Sequence, residues 1–131
     1  MRPIIAIFAA FLATNSQVAH AENVAISPLA LVGTWTASDT KPNLGVFITN
    51  VTLTQSMKFS GSVSRDGKSV WNYSGTWELD GTRLTWHYEN SSRPLSDLAK
   101  NDIDDIALVD GKQLVLVSRL SGLQHVFSRA K

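Results

Sequence analysis

Cysteine is absent from all 131 residues of this chain. That excludes disulfides, thiolate metal sites, a thiol nucleophile and a lipid-modified N-terminal cysteine. Exported domains of this size are often stapled by disulfides, so a fold here has to stand on its apolar core. Histidine is scarce: after His20 only His87 and His125 occur, and neither opens a recognised metal or nucleophile motif. Excess charge is missing too. Once Arg2 is set aside with the N-terminal segment, 11 basic residues face 11 acidic ones. No basic surplus is left to attract nucleic acid or an anionic membrane. Nor does any 3.6-residue apolar stripe follow that segment.

The one long apolar run opens the chain. Arg2 precedes Ile4–Ala13, an unbroken apolar stretch, and small residues close the segment at Ala19-His20-Ala21. Charge, apolar run and A-x-A in that order predict a secretory signal peptide over residues 1–21, cleaved after Ala21. The run is too short for the roughly 20 residues of a membrane-spanning helix. The mature protein is expected to be exported, periplasmic or secreted, with no membrane insertion after cleavage. Residues 22–30 read as a polar leader, and residues 31–131 as one domain.

That domain reads as strands separated by turns. Candidate strands are Leu31–Ser38, Val46–Thr54, Met57–Ser64, Ser69–Leu79, Arg83–Glu89, Asp104–Val109, Gln113–Arg119 and Leu123–Arg129. Asp66-Gly67, Asp80-Gly81, Asp110-Gly111 and Ser121-Gly122 each fall between two of them, where glycine takes positive φ without steric cost. A two-residue turn at Asp80-Gly81 pairs Trp77 with Leu84, Gly75 with Trp86 and Tyr73 with Tyr88. A bulged three-residue turn at Arg65-Asp66-Gly67 brings Val63, Gly61 and Phe59 into the same phase as Trp71 and Tyr73. A two-residue turn at Ser121-Gly122 pairs Leu116 with Phe127, Ser118 with His125 and Leu114 with Arg129. Val115, Val117 and Val126 make the other face of that hairpin apolar as well, which implies cover on both sides. About eight short strands joined by hairpins predict an all-β, antiparallel up-and-down barrel, whose closure removes exposed edges. The one long connection, Asn90–Asp102, is expected to be a lid, a contact surface or a plain crossover, with Ser96 capping a helical turn through Leu98 and Ala99.

Leu31-Val32-Gly33-Thr34-Trp35 sets a Gly-x-Trp on the first strand, and the run Ser74–Trp86 follows within a hairpin meander. In these features the chain resembles small exported bacterial lipocalin-like proteins of the calycin group, over residues 30–130. The resemblance implies that Gly33 and Trp35 close one end of the barrel, with Arg129 packing across the indole. The chain is shorter than typical lipocalins and lacks their C-terminal helix. Avidin-like barrels also open with Gly-x-Trp, but the tryptophan spacing here assigns no biotin site.

Trp71, Tyr73, Trp77, Trp86 and Tyr88 share one sheet face and are the candidate ligand-binding residues. Five exposed aromatics would be an aggregation hazard, so the face is expected to turn inward. There the rings either fill the barrel or leave room for a small hydrophobic guest. His87 reads as an outward strand residue, and Asp102, Asp104 and Asp105 as a solvated loop edge without the spacing of a calcium loop. No catalytic residue, metal site or cofactor is assigned. The expected function is non-enzymatic binding of a small hydrophobic ligand. The alternative is a protein-binding module, such as a periplasmic or secreted enzyme inhibitor, which would use the leader and the Asn90–Asp102 loop.

Overall fold

The computed structural model describes residues 26–130, so the predicted signal peptide and residues 22–25 of the leader lie outside the described residues. A short 3-10 turn, Pro28–Ala30, is capped by the Ser27 hydroxyl and leads into eight strands. These are β1 Gly33–Lys41, β2 Gly45–Leu53, β3 Lys58–Arg65, β4 Lys68–Asp80, β5 Arg83–Ser91, β6 Asn101–Val109, β7 Gln113–Ser118 and β8 Gln124–Arg129. Each pairs antiparallel with the next, and β8 returns to β1, so the sheet is a closed up-and-down barrel. The four-residue helix α1, Asp97–Lys100, sits in the long connection, and the Ser96 hydroxyl accepts from the Ala99 N–H as expected.

Face assignments hold where register assignments do not. The β4–β5 turn is Gly81-Thr82 rather than Asp80-Gly81: Asp80 pairs with Arg83, Trp77 with Trp86 and Gly75 with Tyr88. Glycine stands first in the turn with φ +63°, the position that needs it. The register is displaced by two residues, which leaves every side chain on its predicted face. A bulge between Ser74 and Gly75 then places Tyr73 opposite Ser91, not Tyr88. At β3–β4 the turn has two residues, Asp66-Gly67, both at positive φ, and a separate bulge beside Val63 restores the expected phase. The β7–β8 connection is longer than Ser121-Gly122, so Leu114 pairs with Phe127 and Leu116 with His125. Val126 is exposed, so the outer face of that hairpin is not covered as expected.

The core lies toward the end of the barrel where β1 begins. Leu31 and Trp35 are fully buried there, with Leu53, Trp77, Leu84 and Leu114 around them. The Trp35 indole donates to the Leu31 carbonyl at 2.9 Å. Arg129 lies 4.1 Å from the centre of the Trp35 ring. Its guanidinium donates to the carbonyls of Val32 at 2.9 Å, Ala30 at 3.1 Å and Gly111 at 3.2 Å. Gly33 has φ +136°, and a β-carbon there would strike the guanidinium. One cation therefore ties the entry turn, the first strand and the last strand together. This is the closed end.

The other end is open on one side. Ladder pairing between β1 and β8 covers only Trp35 with Arg129 and Thr36 with Ser128. Beyond Thr36 the two strands part. The backbone groups of Ser38 and Thr40 on β1, and of Gln124 and Val126 on β8, face this split because backbone direction alternates along a strand.

Candidate functional site

Strand alternation carries the aromatic face inward, and the five predicted rings then separate by depth. Trp77 is buried low in the barrel, its indole donating to the Lys58 carbonyl at 3.1 Å. It lies across the ladder from Trp86 but makes no ring–ring contact with the other four among the described residues. Trp86 and Tyr73 are buried at mid-depth, while Trp71 and Tyr88 are half-buried toward the open end. Tyr73 lies 4.4 Å from Trp71 and 5.5 Å from Tyr88, centroid to centroid. Phe59 was in the predicted phase but outside the candidate set, and it joins the group. Its ring meets Trp86 edge-on at 4.9 Å and Tyr88 at 5.2 Å. Gly61 is what lets Tyr73 lie flat across β3, since a β-carbon there would overlap the phenol ring. Mid-depth is therefore a packed aromatic wall, and the room lies above it.

The adjoining strand, β6, is acidic. Asp102, Asp104 and Asp105 are not a loop edge: β6 begins at Asn101, and alternation turns Asp102 and Asp104 inward in phase with Ile106. Asp104 is only 8% exposed and accepts from the Trp86 indole at 2.8 Å. Across β7 its register partner is Ser118, also buried. Continuing the alternation back from Ile106 was the signal in the sequence that would have found this carboxylate. His125 is on the inward phase of β8, exposed at the split, and its charge is felt by both Asp102 and Asp104.

Burial raises the Asp104 pKa above the ordinary carboxylate range, with the Trp86 hydrogen bond opposing it and the Asp102 charge adding to it. Asp102 is raised too, again chiefly by burial. On the aromatic wall, burial pushes Tyr73 up to about 12. Tyr88 moves in the same direction by burial and by the nearby charges of Tyr73, Asp102 and Asp104. The stability consequence of Asp104 has a definite sign. Its folded pKa lies above its unfolded one, so the native state holds the proton more tightly. That stability is full in acid, below the unfolded value, and is lost as pH rises through the folded value. Once ionised, the desolvated carboxylate costs stability. Asp104→Asn keeps an acceptor for the indole and should raise the urea midpoint at neutral pH, with little effect in acid. A lower midpoint at neutral pH would contradict this assignment.

Three hollows adjoin the open end. The split between β1 and β8 forms a cavity of about 410 Å³ lined by Ala37, Asp39 and His125 from the inward phase, and by Ser38, Leu123, Gln124 and Val126. Beside Tyr88 a hollow of about 210 Å³ is bounded by Arg93, Leu95 and Lys100 of the long loop, and one of about 150 Å³ lies between Trp71 and Arg93. Arg93 stands 5.8 Å from the Trp71 ring centre, and the Trp71 indole donates to Ser91 at 2.8 Å. A larger hollow of about 700 Å³ lies at the closed end, outside the Asp110–Gln113 turn and Arg129. It has no aromatic lining.

His87 faces outward, where Asn101 and Glu78 hold its two ring nitrogens at 2.6 and 2.5 Å. Those bonds, Asn101 first and then Glu78, raise its pKa. It takes no part in the interior. No group of three metal-ligating side chains comes together among the described residues. No family model matches the chain, and no curated protein matches it.

Proposed function

We propose that this chain is an exported, non-enzymatic binding domain of the lipocalin-like, calycin kind, with a small-ligand site in the open half of its barrel. Support for the family comes from Gly33-Thr34-Trp35 on β1, with Arg129 of the last strand across the indole. Support for export is the order of charge, apolar run and A-x-A in residues 1–21. The observation that carries the binding reading is a gradient of burial along inward-facing side chains. Trp35, Leu53, Leu84 and Leu114 are sealed, whereas Trp71, Tyr88 and Asp102 point inward and still meet solvent. The split adds a cavity within the 300–1,000 Å³ or so typical of small-ligand sites.

A titration of intrinsic tryptophan fluorescence with fatty acids, retinoids, biotin and small aromatic compounds tests the reading. A saturable change that Tyr88→Ala weakens supports it. No saturable change with any class removes it.

A second reading, a protein-binding module such as an enzyme inhibitor, draws on the loops at the open end. Leu44, Leu98, Leu120 and Leu123 stand exposed on three of them, Leu98 at 75%. Such apolar tips suit a protein contact. Under this reading Leu98→Ser with Leu120→Ser abolishes partner inhibition or binding while ring substitutions inside the barrel leave it intact. The ligand reading expects the reverse.

A further inference from the structure

The acidic wall says what kind of small molecule the open half would hold. Asp102 and Asp104 occupy successive inward positions of β6, and neither has a lysine or arginine partner among the described residues. Only one oxygen of Asp104 is engaged, by the Trp86 indole; its Oδ1 has no hydrogen-bond partner among the described residues. Ser118 opposite is equally buried, and its hydroxyl oxygen accepts from the Ser121 N–H, which leaves the hydroxyl hydrogen free to turn toward the interior. Tyr73 is itself buried, and its hydroxyl, which lies over Gly61 on β3, makes no hydrogen bond to another described residue. The two carboxylates thus stand on the strand beside Trp86 and Tyr88 of β5, with Tyr73 and Phe59 on the next two strands beyond.

Both groups of side chains favour the same charge. The faces of aromatic rings are electron-rich and attract cations, and more strongly where water is excluded. His125, exposed at the split, is the cationic side chain whose charge reaches both carboxylates, and a buried carboxylate with no cation in contact stays unfavourable until one reaches it. An anionic guest would add a third negative charge to Asp102 and Asp104, and a neutral guest would leave theirs uncompensated. A metal ion would require three or more gathered ligands, which the described residues do not supply. An ammonium needs fewer, because its N–H groups donate to individual oxygens.

We propose that the open half of the barrel binds a small organic ammonium ion, its nitrogen on Asp104 and Asp102 and its apolar body against Tyr88 and Trp86. The split between β1 and β8, where Asp39 and His125 line a cavity of about 410 Å³, is the entry. This rests on the small-ligand reading and narrows it to one charge class. It also accounts for a carboxylate kept where it costs stability, since sites are often held at the expense of the fold.

The test is calorimetric titration of the folded protein with three compounds of similar body and different charge: phenethylamine, 2-phenylethanol and 3-phenylpropionate. The amine is expected to bind saturably, with the alcohol weaker by roughly tenfold or more and the carboxylate weaker still. Asp104→Asn is expected to bring amine and alcohol within about twofold of each other while leaving the circular dichroism spectrum unchanged. If that variant does not fold, Asp102→Asn carries the same comparison, and the contrast among the three compounds on the unaltered protein needs no variant. Equal binding of amine and alcohol, or tighter binding of the carboxylate, overturns the ammonium assignment and leaves the small-ligand reading standing. No binding of any of the three overturns the ammonium assignment, and the small-ligand reading falls with it only if the fluorescence titration with fatty acids, retinoids and biotin also shows no saturable change.

Discussion

Replacing Trp35 with alanine is expected to cost about 3–5 kcal/mol of folding stability, because a fully buried indole leaves a cavity the closed end cannot fill. The loss does not stop at the cavity. The Leu31 carbonyl loses the indole N–H, and Arg129 loses the ring it lies against at 4.1 Å. Arg129→Ala alone removes three hydrogen bonds to the backbone carbonyls of Ala30, Val32 and Gly111, each charge-assisted, and should cost roughly 2–4 kcal/mol. The two substitutions act on one arrangement, so the double variant should fall short of their sum by about 1 kcal/mol or more. Urea denaturation of the four proteins of the cycle measures this directly. Strict additivity would mean that the contact between Trp35 and Arg129 contributes nothing.

Gly75→Ala should be as damaging from a smaller change. A β-carbon at Gly75 would collide with the backbone carbonyl of His87 on β5. Backbone in a ladder cannot rotate aside as a side-chain tip can, and the neighbouring bulge at Ser74 fixes the approach. The expected cost is at the top of the ~1–3 kcal/mol range for overpacking, or above it. Gly67→Ala is the control. Its φ of +85° carries a strain of roughly 1 kcal/mol, but nothing lies within 4 Å of an added β-carbon. Thermal melts of the two variants should therefore differ clearly. Equal midpoints would show that the β4–β5 strands have room to shift.

Which face each side chain occupies was legible in the sequence, because strand alternation survives a displacement of two residues. Trp77, Trp86, Tyr73 and Tyr88 turned inward although Trp77 meets Trp86 rather than Leu84. Where the pairs fall was not legible. Asp80-Gly81 and Gly81-Thr82 are both acceptable hairpin turns locally, and the choice is made by packing across the barrel. The bulges beside Ser74, Val63 and Ile106 each insert one residue without any change in composition that would mark them. Asp104 was misread for a different reason. Three aspartates in four residues resemble a solvated edge, and local polarity outweighed the inward phase the residue shares with Ile106. Trp77 groups with the other rings in the sequence because register gives face but not which rings touch. Arg93, which reaches Trp71 from the long loop, had no pattern to announce it.

The four tryptophans allow one measurement to test the central claim that a ligand sits in the open half of the barrel. Each indole N–H has a different environment: Trp35 on the Leu31 carbonyl, Trp77 on the Lys58 carbonyl, Trp71 on Ser91 and Trp86 on Asp104. Proton–nitrogen NMR resolves four such signals, and titration with phenethylamine and 2-phenylethanol can follow all of them at once. The account predicts that the Trp86 and Trp71 indole signals move saturably while those of Trp35 and Trp77 stay in place. Movement confined to Trp35 or Trp77, or no movement in any of the four, would contradict it.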